Sequence, residues 1–291
     1  MMTTWPRMLW LPLLGASLMG FALDQEPELA TLLTEARTPQ HAAAGEAEII
    51  LVEQQFKRLL AANPRAEPGT AWRQLGFESR ATREGGILVL RERADQRRGR
   101  GFYAVRTSAG APILLQAPHQ YFDAYTGVIA RQLLLESDAL AAAWNTTPRY
   151  QTKTSDLVHI RNSYFHAQSR AFAALHPHGR ILQLHGFSVG KRTSAAGRSA
   201  AAIVSSGTRT PSPAATALAA CLSSHLGIRA LLYPRDVQEL GATRNTLAAD
   251  LRRQNFAGFL HLEMSAELRR RLMNDAAARQ VLIQCVKAPA S

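Results

Sequence analysis

The sequence predicts an α/β protein, a three-layer α/β/α sandwich with a mixed, largely parallel central sheet. Three observations predict it. Beyond residue 120, short apolar runs bounded by Gly, Pro and Ser alternate with longer segments of helical period. Just upstream, three strand-like runs follow one another with no helix between them. Hydrophobic residues make up 46% of the 291 residues and charged residues 19%, the balance of a chain that buries a core.

The chain begins MMTTWPRMLWLPLLGASLMGFALDQ. Arg7 is the only charge before Asp24, an apolar stretch follows from Met8 to about Ala22, and Gly20 and Ala22 suit the −3 and −1 positions of a cut after Ala22. This is the pattern of a secretory leader, and it makes the protein periplasmic or secreted. An uncleaved anchor is the alternative, the stretch being near the lower limit for crossing a bilayer. Residues 1–22 are read as the leader and 23–291 as one α/β domain, with a helical and antiparallel lead-in over 23–110. No later segment is long and apolar enough to span a membrane.

Residues 23–45 are Ala-rich and polar and read as a short helix with a loose lead-in. EAEIILVEQQFKRLLA, from Glu46, has apolar residues at helical spacing and stops near Asn63-Pro64. ILVLRER, GFYAVRT and PILLQAPH read as three strands pairing antiparallel at one side of the sheet. TGVIARQLLLES is an amphipathic helix for which Thr126 or Asp123 supplies a cap. DLVHIRNSYFHAQSRAFAALHP is read as a single helix stopped by Pro177 and Gly179. RILQLHGFS and SAAIVSSG are buried strands, PAATALAACLSSHLG a helix closed by Gly227, and IRALLYP a strand. GATRNTLAADLRRQN is helical at least in part, GFLHLEMS a strand, SAELRRRLMND a helix, and RQVLIQCVK a strand or helix. The Ser/Ala/Gly/Arg stretch 186–213 is expected to be a flexible loop near the site.

Formal charge is +12, with 34 Lys and Arg against 22 Asp and Glu. The arginines are scattered and not interleaved with aromatics, so no nucleic-acid surface is expected. An anionic envelope polymer or membrane surface suits an exported basic chain better. The two cysteines, Cys221 and Cys285, form no CxxC, which excludes thiolate zinc clusters. They either pair as one disulfide or stay as two buried thiols. A serine nucleophile is not expected, and GRGFY is a turn with no nucleotide-binding helix after it.

Three apolar runs deliver polar residues to their ends: PILLQAPHQYFD gives His119 and Asp123, RILQLHGF gives His185, and FLHLEMS gives Glu263. In open α/β sheets, ligands bind outside the carboxyl ends of the strands. Two histidines and a carboxylate supply a three-ligand zinc site with an open position for water, and Glu263 is placed to take a proton from that water. Glu263 is the most telling of these, because a carboxylate between Leu262 and Met264 is costly unless paired. Each residue also has an ordinary reading: a hydrogen-bonded structural histidine, or Asp123 as a helix cap.

In APHQYFD, LQLHGF and FLHLEMSAELR, and in the order of these motifs over about 112–270, the chain resembles the zinc carboxypeptidase-like hydrolases. Within them it is most similar to the N-formylglutamate amidohydrolases and phage-type poly-γ-glutamate hydrolases. The resemblance implies Zn2+ held by His119, Asp123 and His185, with Glu263 as general base in hydrolysis of an amide or peptide bond. Family members place the acidic ligand in an H-x-x-E spacing, whereas residue 122 is Phe and Asp123 stands one position later. The resemblance also implies that Arg244, beside Asn245, binds a substrate carboxylate; a guanidinium fork matches a carboxylate in two bonds. A solvated helix arginine is the alternative there. His159 and His166, seven apart, would share a helix face, and His261 shares a strand face with Glu263. His176 and His178 read as turn residues, and Arg269 as solvated.

The expected substrate is a small acidic amide or peptide, or a cell-wall fragment, and the expected protein a monomer. The rival reading is a non-catalytic envelope protein of the same fold that binds an anionic ligand.

Overall fold

The structure, a computed structural model, describes residues 1–2, 27–61 and 69–289. The leader with its cut after Ala22 therefore lies outside the described residues, apart from Met1 and Met2. The described chain opens with α1 (Leu29–Glu35), α2 (Glu46–Ala61) and α3 (Thr70–Gln74). There follow β1 (Phe77–Ala81), β2 (Ile87–Glu92), β3 (Phe102–Arg106) and β4 (Ala111–Ala117). Next come α4 (Thr126–Glu136), β5 (Ala139–Trp144), α5 (Tyr164–Leu175) and β6 (Arg180–Gly186). A 3-10 turn (Val189–Lys191) precedes α6 (Ala195–Ser199), β7 (Ala202–Ser205), α7 (Pro213–Leu226) and β8 (Ala230–Leu232). The chain closes with α8 (Thr246–Arg253), β9 (Phe259–Met264), α9 (Ala266–Asn274) and α10 (Ala276–Lys287).

The strands form one mixed nine-stranded sheet in the order β1-β2-β3-β5-β4-β6-β9-β7-β8. Its middle is parallel, β5-β4-β6-β9, while β1, β2 and β3 pair antiparallel on one side and β7 runs antiparallel to β9 on the other. One face packs against α4, α7, α9 and α10 through Leu133, Leu218, Leu268 and Leu282. The other packs against α2, α5 and α8 through Phe56, Phe165, Phe172 and Leu251. The three-layer α/β/α sandwich is the architecture expected.

The second face changes character along the central strands. Its amino-terminal half is apolar, with Leu114, Ile181 and Phe259 in the core. Two residues further on, the same face carries Gln116, Gln183 and His261, and then His185 and Glu263. A polar row on a buried face needs mutual hydrogen bonds to be tolerated, and this row forms the floor of the site.

Several local expectations are corrected. β4 does not join the antiparallel group: β5 lies between it and β3, parallel to β4. Neither β5 nor β1 was expected. The β5 run ALAAAW is buried along its whole length, so it shows no alternation, and alanine favours strands weakly. The helix read from residue 156 begins at Tyr164, because the Ser163 hydroxyl caps it by accepting from the His166 amide; residues 156–163 form turns. His159 and His166 thus share no helix face. The stretch 186–213 is built, holding the 3-10 turn, α6 and β7. RQVLIQCVK resolves as helix, and Cys285 on α10 is bonded to Cys221 on α7.

Candidate functional site

After β4 the chain makes a tight turn in which the amides of Phe122 and Asp123 both donate to the His119 carbonyl at 2.8 Å. This folds Asp123 back over His119, leaving its carboxylate oxygen 3.6 Å from His119 Nδ1. Phe122 points outward and is exposed, so the acid that the turn brings back to His119 is Asp123. Asp123 is not the cap of α4: Tyr125 occupies that position and no side chain caps it. On β6, His185 brings its Nδ1 to 3.1 Å from the same Asp123 oxygen. Its register partner on β9 is Glu263. His119, Asp123 and His185 are all buried, and their donor atoms lie within 4.8 Å of one another.

The tautomer of His185 follows from the polar row. Ser169 gives its hydroxyl proton to the Phe165 carbonyl, so it accepts from Gln116 Nε2. Gln116 Oε1 therefore accepts from Gln183 Nε2 at 3.0 Å, and Gln183 Oε1 must be an acceptor. That oxygen takes Asn245 Nδ2 at 2.7 Å and His185 Nε2 at 3.0 Å. Asn245 is oriented in turn by its own oxygen, which accepts from the Ala248 amide at the start of α8. With both ends of the row tied to backbone, the proton of His185 sits on Nε2. Its Nδ1 lone pair then faces a carboxylate oxygen, an arrangement that a cation between them would satisfy. Burial pushes His185 down to about 4.

His119 is oriented in the same sense. Its Nε2 bonds Asp156 at 2.9 Å, and its Nδ1 faces Arg149 Nη1 at 3.0 Å. Arg149 is itself held by Asp156 at 2.5 Å and stacks over Tyr150. Burial acts to lower His119, but hydrogen bonds to Asp123 and Asp156 outweigh it and raise its pKa. Burial likewise acts to raise Asp123, and the bonds to His119 and His185 hold it well below the usual carboxylate range. Zinc bonds of about 2.0–2.1 Å set tetrahedral donors about 3.3 Å apart. The 3.6 and 3.1 Å separations from Asp123 to the two imidazoles fit such an ion, given that Arg149 releases the His119 nitrogen.

Glu263 is pushed up to about 8, first by burial and then by the negative charge of Asp123. Its Oε2 has no hydrogen-bond partner among the described residues. His261 does approach the site, as the shared strand face anticipates. Its ring packs on His185 with centroids 4.5 Å apart, and Nε2 stands 3.9 Å from Glu263. Burial drives its pKa far down, so it is neutral.

A cavity of about 370 Å³ opens over these residues, lined by His119, Arg149, His185, Glu263 and Arg244. Arg244 is exposed at its rim. Asn245 is buried below it, and both ends of its carboxamide are engaged within the protein. Asn245 therefore orients the polar row, and it also lines the cavity.

The stretch Gly186–Gly190 reads G-x-S-x-G, a spacing linked to serine nucleophiles. Ser188 is exposed, has φ −97, and opens a 3-10 turn; it sits on no strained strand-to-helix elbow. Sequence reasoning missed Arg149, Asp156 and Gln183, and misread Arg269, which is 8% exposed. Gln183 was findable, a polar residue inside an apolar strand two positions from His185. Arg149 and Asp156 sit in irregular chain, where charged residues carry no signal.

No family model and no curated protein matches the chain. It is similar in structure to N-formylglutamate amidohydrolase from Ralstonia eutropha JMP134, with 11% identity and a TM-score of 0.42 over 65% of this chain and 97% of that one. A gene product of Agrobacterium tumefaciens superposes with 12% identity and a TM-score of 0.42, over 62% and 89% of the two chains. For the succinylglutamate desuccinylase from Chromobacterium violaceum the values are 16% and 0.33, over 88% and 74%.

Proposed function

We propose that this chain is an exported, metal-dependent hydrolase that cleaves an amide or peptide bond in a small acidic substrate or cell-envelope fragment. The observation that carries the reading is the bare Nδ1 of His185 facing the Asp123 carboxylate, with His119 beside them. Two imidazole nitrogens, a carboxylate and an open side suit zinc. An ion held there supplies Lewis acidity, which polarises a carbonyl oxygen and acidifies water.

The chain's own groups do the rest. Glu263, with a free carboxylate oxygen and a pKa pushed up to about 8, accepts a proton from water and returns it to the leaving nitrogen. Positive charge in the cavity favours its ionised form. Arg149, beside His119, offers N–H donors to negative charge developing on the carbonyl oxygen. Arg244 at the rim holds a substrate carboxylate.

Elemental mass spectrometry of protein exported from a bacterial host tests this reading. The expected result is a mature chain starting at Leu23 that carries about one zinc, lost in a His119→Ala/His185→Ala variant. Hydrolysis of N-acyl amino acids should fall about 10²–10⁴-fold in Glu263→Gln. Absence of metal after zinc is offered would refute the mechanism.

A further inference from the structure

The cavity beneath Arg244 is one of two that meet at Glu263. The second, of about 590 Å³, shares His185 and Glu263 with the first and is further lined by Asp123, Phe187, Arg192 and Arg269. Arg269, in the first turn of α9, is more than nine-tenths buried. Its Nε is buried without a partner, and its guanidinium makes no ion pair or side-chain hydrogen bond among the described residues. Of the acids that share the cavity, Asp123 is engaged by His185, and neither Asp123 nor Glu263 forms an ion pair or hydrogen bond with Arg269 among the described residues. Arg192, by contrast, is paired with Glu239.

The seat of this guanidinium is built. It lies against the backbone of Gly186, at the end of β6, so closely that a Cβ at position 186 would overlap Nη1. A rigid strand end thus holds a buried guanidinium that no carboxylate pairs directly, which is costly unless an anion completes it. The planar fork suits a carboxylate.

We infer that Arg269 forms an anion subsite for the substrate's second half, so that the preferred substrate is an amide bearing a carboxylate on each side of the scissile bond. Arg244 takes one carboxylate and Arg269 the other, with Glu263 between. The inference rests on the amide-hydrolase reading and specifies its substrate class.

Calorimetric titration of the Glu263→Gln protein with N-succinyl-L-alanine and N-butanoyl-L-alanine tests it; the two differ only in the acyl carboxylate. The dianionic amide should bind about 10- to 100-fold more tightly, the range of a hydrogen bond to a charged group. Adding Arg269→Gln should erase that preference and leave the affinity for the monoanionic amide within about threefold. Gly186→Ala, which displaces the guanidinium and keeps the charge, should do the same, and it decides the matter if Arg269→Gln does not fold. Equal binding of the two amides, binding of neither, or a preference that survives both substitutions would overturn the inference. A preference that Arg269→Gln removes, in a protein that cleaves neither amide with Glu263 restored, would keep the subsite and refute the hydrolase instead.

Discussion

Replacing Gln183 by methionine isolates the role of the polar row. Methionine matches glutamine in length but offers no acceptor to His185 Nε2, which Gln183 Oε1 now engages at 3.0 Å. The His185 proton is then free to move to Nδ1, where the Asp123 oxygen at 3.1 Å accepts it. A hydrogen bond to a charged group contributes about 1.5–3 kcal/mol. A metal must displace that proton, so zinc affinity should fall about 10- to 100-fold, the range for losing a partner that orients a ligand. The same change leaves Gln116 Oε1 and Asn245 Nδ2 without partners and costs stability as well. Gln116→Met supplies the control: it also breaks the row, but it spares the bond from His185 to Gln183, which Asn245 keeps oriented. It should cost stability and change zinc affinity by less than about threefold. The assay is competition against a fluorescent chelator in variants that melt cooperatively, with imidazole nitrogen shifts to report the tautomer. Zinc affinity within threefold of wild type in Gln183→Met, or an equal loss in Gln116→Met, would refute the argument.

Two further outcomes follow from the same geometry. Glu263 is raised from 4.5 to about 8, so between these values the folded chain keeps a proton that the unfolded chain has lost, and stability falls as pH rises. Melting curves of the metal-free wild type and Glu263→Gln should diverge across that window, with the wild type losing ground as pH rises; parallel curves would contradict the burial of this group. The bond between Cys221 and Cys285 ties α7 to α10 across a separation of 64 residues. Its removal in Cys221→Ala/Cys285→Ala should lower unfolding free energy by about 4 kcal/mol, and an unshifted denaturation midpoint would show that the link is not formed.

The layers of the fold were legible because each element declared its period locally. β6 and β9 are short apolar runs ended by Gly or Ser, and α7 runs from a Ser-Pro start to Gly227. What was not legible is not local. Nothing within PILLQA says that β5 will lie beside it, and ALAAAW, buried on all sides, has neither alternation nor β-branched residues to mark it as a strand. The turns at 156–163 read as helix because Leu157, Val158 and Ile160 continue the apolar spacing of α5. Only the Ser163 cap shows where the helix starts.

The site divides along the same line. His119, His185 and Glu263 stood out because a polar group within or at the end of an apolar run carries a desolvation cost visible in a few residues. Arg269 carries the same cost unseen. It is the first of three successive arginines on a helix whose other buried positions, Leu268 and Leu272, look sufficient to define its inner face. Arg270 and Arg271 do reach solvent. Arg269 is drawn inward because the strand packed beside it ends in Gly186, eighty-three positions earlier, where the missing side chain leaves room for a guanidinium. A ligand held by one strand end can be read from that strand. A cation seated by a glycine on another element becomes visible only once the sheet brings the two together, and the specificity argued for this site depends on that contact.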